Sequence, residues 1–519
     1  MRTPDNCIGA GERGRGREGT ERGPRHSRIN TVQIRRLGSN LAYLELLRNQ
    51  ATRRRPIGYR LRDINAEGKF CANLKLEVLE SVLPQALIEA VLQECGLRTA
   101  RERKLNLVVT VMLMIAMNVY THTSLGHVLQ KVSQGLRYIW PEPAAVIAGK
   151  SAISYRRAQL GVRPLARLLR RLAQPIATPQ TRGAFRFGLR LMALDGSIEE
   201  VPDTEENRAV FGGHHGGRGT SNFPQVRVSY LIECGTHKIV DACFWPYRVA
   251  EQTGAWRLLR SVGAGMLLMW DRGYFAYDLL CAVIAREAHL LIRLKANLIF
   301  KPERRLCDGS FLAYSYPSNY QRRQAGERQL VRIIQYRVTD PALPGYGQLH
   351  RLLTTLLDPQ RYPALELIEL YHERWEIELV IDEIETHQRL AQRCLRSLSP
   401  RGVIQELYGL VLAHVAVRSL MHAAAVEADL DPDRLSFVHA LEVIRAAVPE
   451  FQQTTPAELP RLAARMLRDM TRELLPPRRW RSNPRVVKTK MSKFKQKRPE
   501  HRSPPQPSRP FRESIAVVI

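Results

Sequence analysis

Three carboxylates stand where they could do chemistry together. Asp195 ends the apolar run FRFGLRLMAL and precedes a glycine, Asp271 ends the apolar run AGMLLMW, and Glu378 lies in a long helical stretch. Mg²⁺ prefers carboxylate oxygens and keeps open positions for water and phosphate. Two such ions about 3.5–4 Å apart can activate an attacking oxygen and stabilise a leaving one. If the three side chains converge, the sequence indicates metal-assisted phosphoryl transfer.

Each signal also has a plainer interpretation. Asp-Gly after a strand is usually a turn, and Asp-Arg-Gly is usually the start of a loop. Glu378 alone fits a half-buried helix with ordinary ion pairs. The joint interpretation depends on the elements that would bring the three residues together.

Residues 363–390 are predicted to form one long helix, because they contain no glycine and begin with Pro363, a favoured first-turn residue. Tyr371, Arg374 and Glu378 recur at i, i+3 and i+7, so they share one face of this helix. An aromatic ring, a guanidinium and a carboxylate would then line the edge of a core, which suits an anionic ligand.

The region before this helix has the periodicity of a mixed α/β sheet. The predicted order is a strand over 185–197, a hairpin over 225–247 that turns at 234–236, a helix over 250–262, a strand over 264–275, a helix over 276–287 and a strand over 289–295. In open α/β sheets ligands bind where strands end, and both Asp195 and Asp271 are predicted to stand at such ends.

The domain organisation follows from changes in composition. The predicted segments are a basic, disordered extension over 1–70, a helical domain over 71–180, a mixed α/β domain over 181–430 with a β-rich insertion over 296–358, a helical region over 431–474, and a basic disordered tail over 475–519. For the helical domain, DNA docking and plain helix packing with arginines on the surface fit the sequence equally well.

The charge balance indicates a polyanionic partner. The 519 residues carry a formal net charge of +29, and the pI is about 10.3, so nucleic acid is the first candidate. The eight cysteines include no Cys-x-x-Cys, which predicts reduced thiols in the cytoplasm, without a zinc site or a disulfide framework. The longest apolar run, 107–117, is too short to span a bilayer, so no membrane association is expected.

Several ordered motifs resemble one known family, the insertion-sequence-4 family of bacterial DDE transposases. The similar segments between 83 and 498 include DGS at 195–197, PDTEENRAVFG at 202–212, LLMWDRGYF at 267–275 and SNPRVVKTKMSKF at 482–494. The family's signature helix, Tyr-x2-Arg-x3-Glu-x6-Lys, is matched by Tyr371, Arg374 and Glu378.

The resemblance implies an α/β, ribonuclease-H-like mixed sheet with helices on both faces and a β-rich insertion before the last catalytic helix. It implies that Asp195, Asp271 and Glu378 bind Mg²⁺, for which Mn²⁺ can substitute, and that Tyr371 and Arg374 contact DNA phosphates. The expected activity is cutting of double-stranded DNA at the terminal inverted repeats of an insertion sequence and joining of the freed 3′-hydroxyl to target DNA. The expected enzyme works as a homodimer on the bacterial nucleoid in the cytoplasm.

Further residues have open assignments. Arg272 is assigned to a phosphate contact or to a salt bridge, and Arg293 and Lys295 to the wall of a DNA channel. Trp270 and Trp375 are predicted to be core aromatics. Glu385 stands where the signature has lysine, with Asp382 nearby, so either His387 or Arg389 supplies the missing cation or this copy is weakened.

Two other functions compete with the active transposase. One is a decayed transposase that only binds DNA, and the other is a ribonuclease-H-type hydrolase that cuts without joining.

Overall fold

The computed structural model describes residues 76–97, 105–121, 123–135, 148–216, 219–343, 345–389, 394–477 and 509–518. The helices in these ranges are α1 (Gln85–Glu94), α2 (Leu107–Ala116), α3 (Leu125–Val132), α4 (Lys150–Leu160), α5 (Arg163–Leu172), α6 (Glu205–Phe211), α7 (Gln252–Leu258), α8 (Tyr277–Ile284), α9 (Tyr320–Gln324), α10 (Ala364–His372), α11 (Glu376–Asp382), α12 (Pro400–Glu427), α13 (Phe437–Gln453) and α14 (Leu459–Met470). The strands are β1 (Phe185–Arg186), β2 (Leu189–Glu200), β3 (His215–Gly216), β4 (Gly219–Thr220), β5 (Gln225–Glu233), β6 (Lys238–Pro246), β7 (Met266–Trp270), β8 (His289–Arg293), β9 (Arg304–Arg305), β10 (Phe311–Ser315), β11 (Gln329–Val338), β12 (Leu349–Thr354) and β13 (Ile515–Val517).

One mixed sheet of 11 strands organises the fold, in the order β6-β5-β2-β7-β8-β12-β11-β10-β9, with β1 on β2 and β13 on β11. β2, β7 and β8 are parallel, whereas β5 and β6 continue the sheet antiparallel. The core order β6-β5-β2-β7-β8, with helices between its last strands, is the ribonuclease-H-like arrangement that was expected. The strands of the segment 296–358 extend this same sheet, because β12 pairs with β8.

Alternating side chains divide the core between the two faces of the sheet. Leu191 and Ala193 belong to a large buried cluster on one face, and Met192 and Leu194 belong to a second cluster on the other face. Continuing the alternation puts the Asp195 side chain on the face of the large cluster. The same period in β7 directs Asp271 to that face, because Met269 belongs to the large cluster and Trp270 to the second.

Helix α12 lies at the centre of the large cluster. It packs against the N-terminal helices α2 and α5, against β6, and against the C-terminal helices α13 and α14. Among the described residues it is the one helix long and apolar enough to cross a membrane, and 78% of its most apolar window is buried inside the protein, as in a core helix. The N-terminal helices and the sheet therefore share one buried core.

The stretch 363–390 was predicted as one long α-helix, and this was wrong in detail. It contains α10, a 3₁₀ turn over Glu373–Trp375, α11 and a π-helix over Glu383–Gln388. In the π-helix the amide of Arg389 donates to the carbonyl of Ile384, five residues earlier, at 3.0 Å. The prediction rested on helix propensity, which does not include the tertiary contacts of this stretch.

Other boundaries also differ from those predicted. The segment 185–197 contains a tight turn at Phe187 and Gly188, both with positive φ, and β2 then continues through Glu200, so Asp195 lies inside a strand and not at its end. At the end of the predicted disordered tail, β13 pairs with β11. The predicted extension over 1–70 and the basic segment 478–508 lie outside the described residues.

Two arginines of the N-terminal helix α4 do not lie on the surface. Arg156 is buried and donates to Gln159. The Arg157 guanidinium donates to Ser397 at 2.9 Å and to the carbonyl of Gly402 at 3.1 Å, at the start of α12. Both arginines therefore serve packing, whereas Arg170 and Arg171 of α5 are exposed.

Candidate active site

The two aspartates come from neighbouring parallel strands. Leu194 of β2 is the register partner of Trp270 of β7, so Asp195 and Asp271 occupy the next position on each strand. The two side chains are close enough for the Asp271 charge to contribute to the pKa of Asp195. Burial raises this pKa above its ordinary value, while Arg374 and the Gly196 amide oppose the rise.

Gly196 belongs to this site because of a close approach, not because of a turn. A Cβ at position 196 would lie 2.7 Å from the Val228 carbonyl oxygen and 2.9 Å from Ser229 Oγ. The Gly196 amide donates to Asp195 Oδ1 at 2.8 Å and holds that carboxylate. The Asp-Gly pair, whose ordinary interpretation is a turn, is therefore a strand dipeptide packed tightly against β5.

This close approach predicts the effect of Gly196→Ala. The added methyl group must push against backbone of β5, which costs about 1–3 kcal/mol of unfolding free energy. The measurement is urea unfolding followed by circular dichroism. Gly263→Ala is the matched control, because a Cβ there meets no atom within 4 Å. Equal stability of the two variants would contradict the close contact at Gly196.

Glu378, on α11, is connected to Asp195 by Arg374, which pairs with both carboxylates. Arg374 Nη1 lies 3.1 Å from Asp195 Oδ2, and Arg374 Nη2 lies 3.3 Å from Glu378 Oε1. The Arg374 side chain is only 9% exposed, so its charge is well shielded from water. Asp195, Glu378 and Arg374 thus form one ion-paired group, to which the charge of Asp271 also contributes.

Tyr371 lies on the same helical path, and its ring is buried. Its hydroxyl donates to the carbonyl of Trp270, the residue before Asp271, at 3.0 Å. Burial raises the pKa of this hydroxyl above its ordinary value, so it stays a neutral donor. Tyr371 therefore ties α10 to the end of the strand that precedes Asp271.

The remaining predicted site residues lie around this group. Arg272 is exposed, directly after Asp271. Arg293 is half-buried at the end of β8 and donates to His350 Nδ1 at 2.9 Å, and Lys295 is exposed just beyond it. All three are near the ends of β7 and β8, but Arg293 is already engaged by a neutral partner.

The oxygen-rich donor set has the chemistry that a divalent metal requires. In the described part of the chain, however, no three His, Cys, Asp or Glu side chains are grouped closely enough to hold a metal ion. The guanidinium of Arg374 is ion-paired with both Asp195 and Glu378. The residue types fit a divalent metal ion. Because Arg374 is paired with both Asp195 and Glu378, a metal held by these carboxylates would have to displace its guanidinium.

The helix that carries Glu378 continues along β2 through a series of polar contacts. The Ser197 hydroxyl donates to Glu385, and Arg389 pairs with Glu199. Burial raises the pKa of Glu385. Glu385 is thus directed at β2, and Arg389 is buried in an ion pair, so the hypothesis that Arg389 replaces the missing lysine is wrong.

One of the two tryptophans near the site departs from what the sequence suggested. Trp270 is a core residue, as predicted, with 1% exposure, but Trp375 is 44% exposed. The Arg374 guanidinium lies 5.9 Å from the centre of the Trp375 ring. The exposure of Trp375 could have been anticipated from the sequence. Residue 375 directly follows Arg374 and therefore lies on a different side of the helix.

Comparisons with known proteins agree with this architecture. Residues 73–170 match the model of the family "Insertion element 4 transposase N-terminal", and residues 186–416 match "Transposase DDE domain". These two matches, which agree with the ribonuclease-H-like sheet, place the protein in the class of DDE transposases.

The relatives identify the family within that class. The transposase InsG for insertion sequence element IS4 of Escherichia coli K12 is 29% identical over 427 residues, which are 81% of this chain and 93% of the relative. The putative transposase InsZ of the same organism is 29% identical over 141 residues, 26% of this chain and 45% of that protein. This chain belongs to the insertion-sequence-4 family of DDE transposases, whose members catalyse DNA cleavage and strand transfer and depend on a divalent metal.

A solved structure of the piggyBac transposase synaptic complex with hairpin DNA has a TM-score of 0.37 and 11% identity, over 76% of this chain and 82% of that chain. This similarity is too low to bear on function.

Proposed function

We propose that this transposase binds the terminal inverted repeats of its insertion sequence, cuts the DNA there and joins the freed 3′-hydroxyl to target DNA. The observations that support the proposal are that Asp195 and Asp271 occupy matching positions on neighbouring parallel strands, and that Asp195 and Glu378 share Arg374. In this proposal the three carboxylates hold Mg²⁺, for which Mn²⁺ can substitute. When bound, the metal supplies activation of the attacking oxygen and stabilisation of the leaving oxygen.

The chain's own residues position the DNA. Arg374 offers a planar fork that fits a phosphate as well as it fits a carboxylate. If Asp195 and Glu378 held a metal ion, the Arg374 fork would be free to bind the phosphate at the cut. Arg272 and Lys295, both exposed, are assigned to DNA phosphates, and Arg293 to the wall of the DNA channel. Tyr371 is buried, so it acts on the site through its contact with Trp270 and not by direct contact with DNA.

The test uses duplexes that carry the inverted repeats flanking the reading frame. We expect the wild-type protein with Mg²⁺ to cut at the repeat ends and to produce joined strands, detected by sequencing the products. Asp271→Ala should bind the same duplex and leave it uncut. Binding without cutting by the wild type would favour the decayed transposase, and cutting without joined products would favour the hydrolase.

We also propose that two chains act together on paired ends and that residues 71–180 form the DNA-binding domain. Support for the second assignment comes from the exposed Arg163, Arg170 and Arg171 of α5. Light scattering of the protein mixed with end duplexes should give a mass of two chains and two duplexes. One chain per duplex at all ratios would contradict pairing.

Trp375 gives a separate prediction about DNA contact. Stacking of an exposed indole on a DNA base contributes about 1–3 kcal/mol, so Trp375→Ala should weaken binding of end duplexes about tenfold or more. The measurement is fluorescence anisotropy at fixed salt. Trp256→Ala on α7 is the control, because Trp256 is similarly exposed, at 45%. Equal effects of the two substitutions would remove Trp375 from the DNA interface.

A further inference from the structure

The helix that carries Glu378 has a second acidic face, which is buried. Glu376 and Glu383 are seven residues apart, so they lie on the same side of the helix. Glu378 lies about 200° around the axis from Glu376, at 100° per residue. Glu376 and Glu383 are 7% and 3% exposed, so both face the interior while Glu378 faces Asp195.

Glu383 makes the densest set of polar contacts on this buried face. Its Oε2 accepts from Arg418 Nε at 2.9 Å and lies 3.0 Å from His414 Nε2, and its Oε1 pairs with Arg418 Nη2. Arg418 and His414 are one turn apart on α12, the central core helix. Arg418 holds the pKa of Glu383 well below its ordinary value, although burial opposes this. Glu383 is therefore a fixed negative charge clamped to α12.

Glu376 lies at the N-terminal end of the same buried helix face and binds the sheet. Its Oε2 accepts from the amide of Gly235 at 2.5 Å, in the turn between β5 and β6. β5 pairs directly with β2 opposite Asp195. This contact therefore links the helix that carries Glu378, through β5, to the strand that carries Asp195.

His237 connects the two ends of the cluster. Its Nδ1 accepts from Arg418 Nη2 at 2.8 Å, because guanidinium has no acceptor. The same Nδ1 lies 3.4 Å from Glu383 Oε1, and Nε2 lies 3.3 Å from Asp433 Oδ1 and 3.6 Å from Glu376 Oε2. His237 adopts a positive φ of 56°, a conformation that non-glycine residues adopt only when their surroundings require it.

From these contacts we infer that the buried cluster of Glu376, Glu383, His237 and Arg418 fixes the rotation and height of the helix and thereby positions the Glu378 carboxylate for metal binding. Buried ion pairs contribute little net stability compared with apolar residues of similar volume. They do, however, allow one arrangement only, since a small slide or rotation would leave buried charges unpaired. Apolar packing of the same helix would tolerate such displacements. The four residues are positioning residues, which act through Glu378 and touch neither DNA nor metal.

The inference rests on the proposed metal-binding role of Glu378, and its test separates positioning from stability. The double substitution Glu383→Leu with Arg418→Met replaces the pair by apolar side chains of similar volume. We expect a melting temperature close to that of the wild type and unchanged affinity for end duplexes. The affinity of the protein–DNA complex for Mn²⁺, measured by electron paramagnetic resonance of free Mn²⁺, should fall at least tenfold. The Mn²⁺ concentration that gives half-maximal cutting should rise by the same factor.

The matched control is Asp241→Leu with Arg260→Met, which removes another ion pair with a buried carboxylate, on β6. This control should leave the Mn²⁺ affinity within twofold of the wild type. If the Glu383/Arg418 double variant also stays within twofold while folded, the cluster is structural only and the inference is overturned.

A second pair of variants keeps the test decisive if the double variant does not fold. Glu383→Gln keeps the shape of the side chain, and Arg418→Lys keeps the charge without the fork. We expect both to bind Mn²⁺ more weakly than the wild type, with Arg418→Lys losing less. A lower melting temperature with unchanged Mn²⁺ affinity in both would overturn the inference. A wild type that binds Mn²⁺ without cutting DNA would overturn the proposed function alone, because the Mn²⁺ comparison still tests the cluster.

Discussion

Asp195→Asn and Glu378→Gln are each expected to lower the rate of DNA cutting by at least about 1000-fold. Each substitution keeps the size and most hydrogen bonds of the side chain but removes a negative charge that a divalent cation requires. Each also removes one of the two carboxylates that share Arg374. The measurement is single-turnover cutting of end duplexes at saturating protein.

DNA binding provides the control for this prediction. The affinity of both variants for end duplexes should equal or exceed that of the wild type, because a negative charge near the DNA backbone has been removed. If either variant cuts within tenfold of the wild-type rate, its carboxylate is not part of the catalytic set. Weaker DNA binding in parallel with weaker cutting would instead indicate a damaged fold.

Arg374→Ala is expected to reduce cutting at least about 100-fold and to lower stability. Removal of the guanidinium leaves the partly buried Asp195 carboxylate, whose side chain is 20% exposed, without its main cation. Breaking a fully buried pair typically costs about 3–5 kcal/mol, so we expect a smaller loss here, of about 1–3 kcal/mol. It also removes the fork assigned to the phosphate at the cut. Arg374→Lys should recover stability in part but little activity, because one ammonium cannot serve two carboxylates in the same geometry. Thermal unfolding and single-turnover cutting measure the two effects.

Arg272→Ala is the control for the loss of a positive charge near the site. Arg272 is exposed next to Asp271, so its removal should weaken DNA binding and leave the rate at saturating protein within about tenfold. Equal rates for the Ala variants at 272 and 374 would mean that Arg374 acts only as one more cation near DNA.

The local order of elements in the catalytic domain was predictable from the sequence. The hairpin that turns at residues 234–237, the helices α7 and α8, and the strands β7 and β8 all lie within the predicted segments. Their signals are local, because alternating and helical periodicities record which faces of each element are buried. The motifs also sufficed to indicate the family, which the comparisons confirm.

Long-range contacts decided what the sequence alone did not. The interpretation of Asp195–Gly196 as a turn failed, because the pairing of β2 with β5 continues through Glu200, and strand pairing is not encoded within a dipeptide. The single long helix failed at Glu373, where a 3₁₀ turn begins, and again at Glu383, where ion pairs with α12 coincide with the change to π winding. Trp375 was predicted to be buried and is exposed, whereas Arg389 was a candidate for the missing cation and is buried. Both errors have the same cause, because the burial of a side chain depends on which element packs over it.

The sequence by itself therefore determined which residue types were available and on which elements they lie. Asp195, Asp271 and Glu378 follow from periodicity and motif, each on its own strand or helix. Only the tertiary structure decided their partners: the parallel register of β2 and β7, the Arg374 fork between two carboxylates, and the buried clamp of Glu383 on Arg418. Such contacts join residues up to 179 positions apart, and their geometry depends on the packing of the whole core rather than on local sequence.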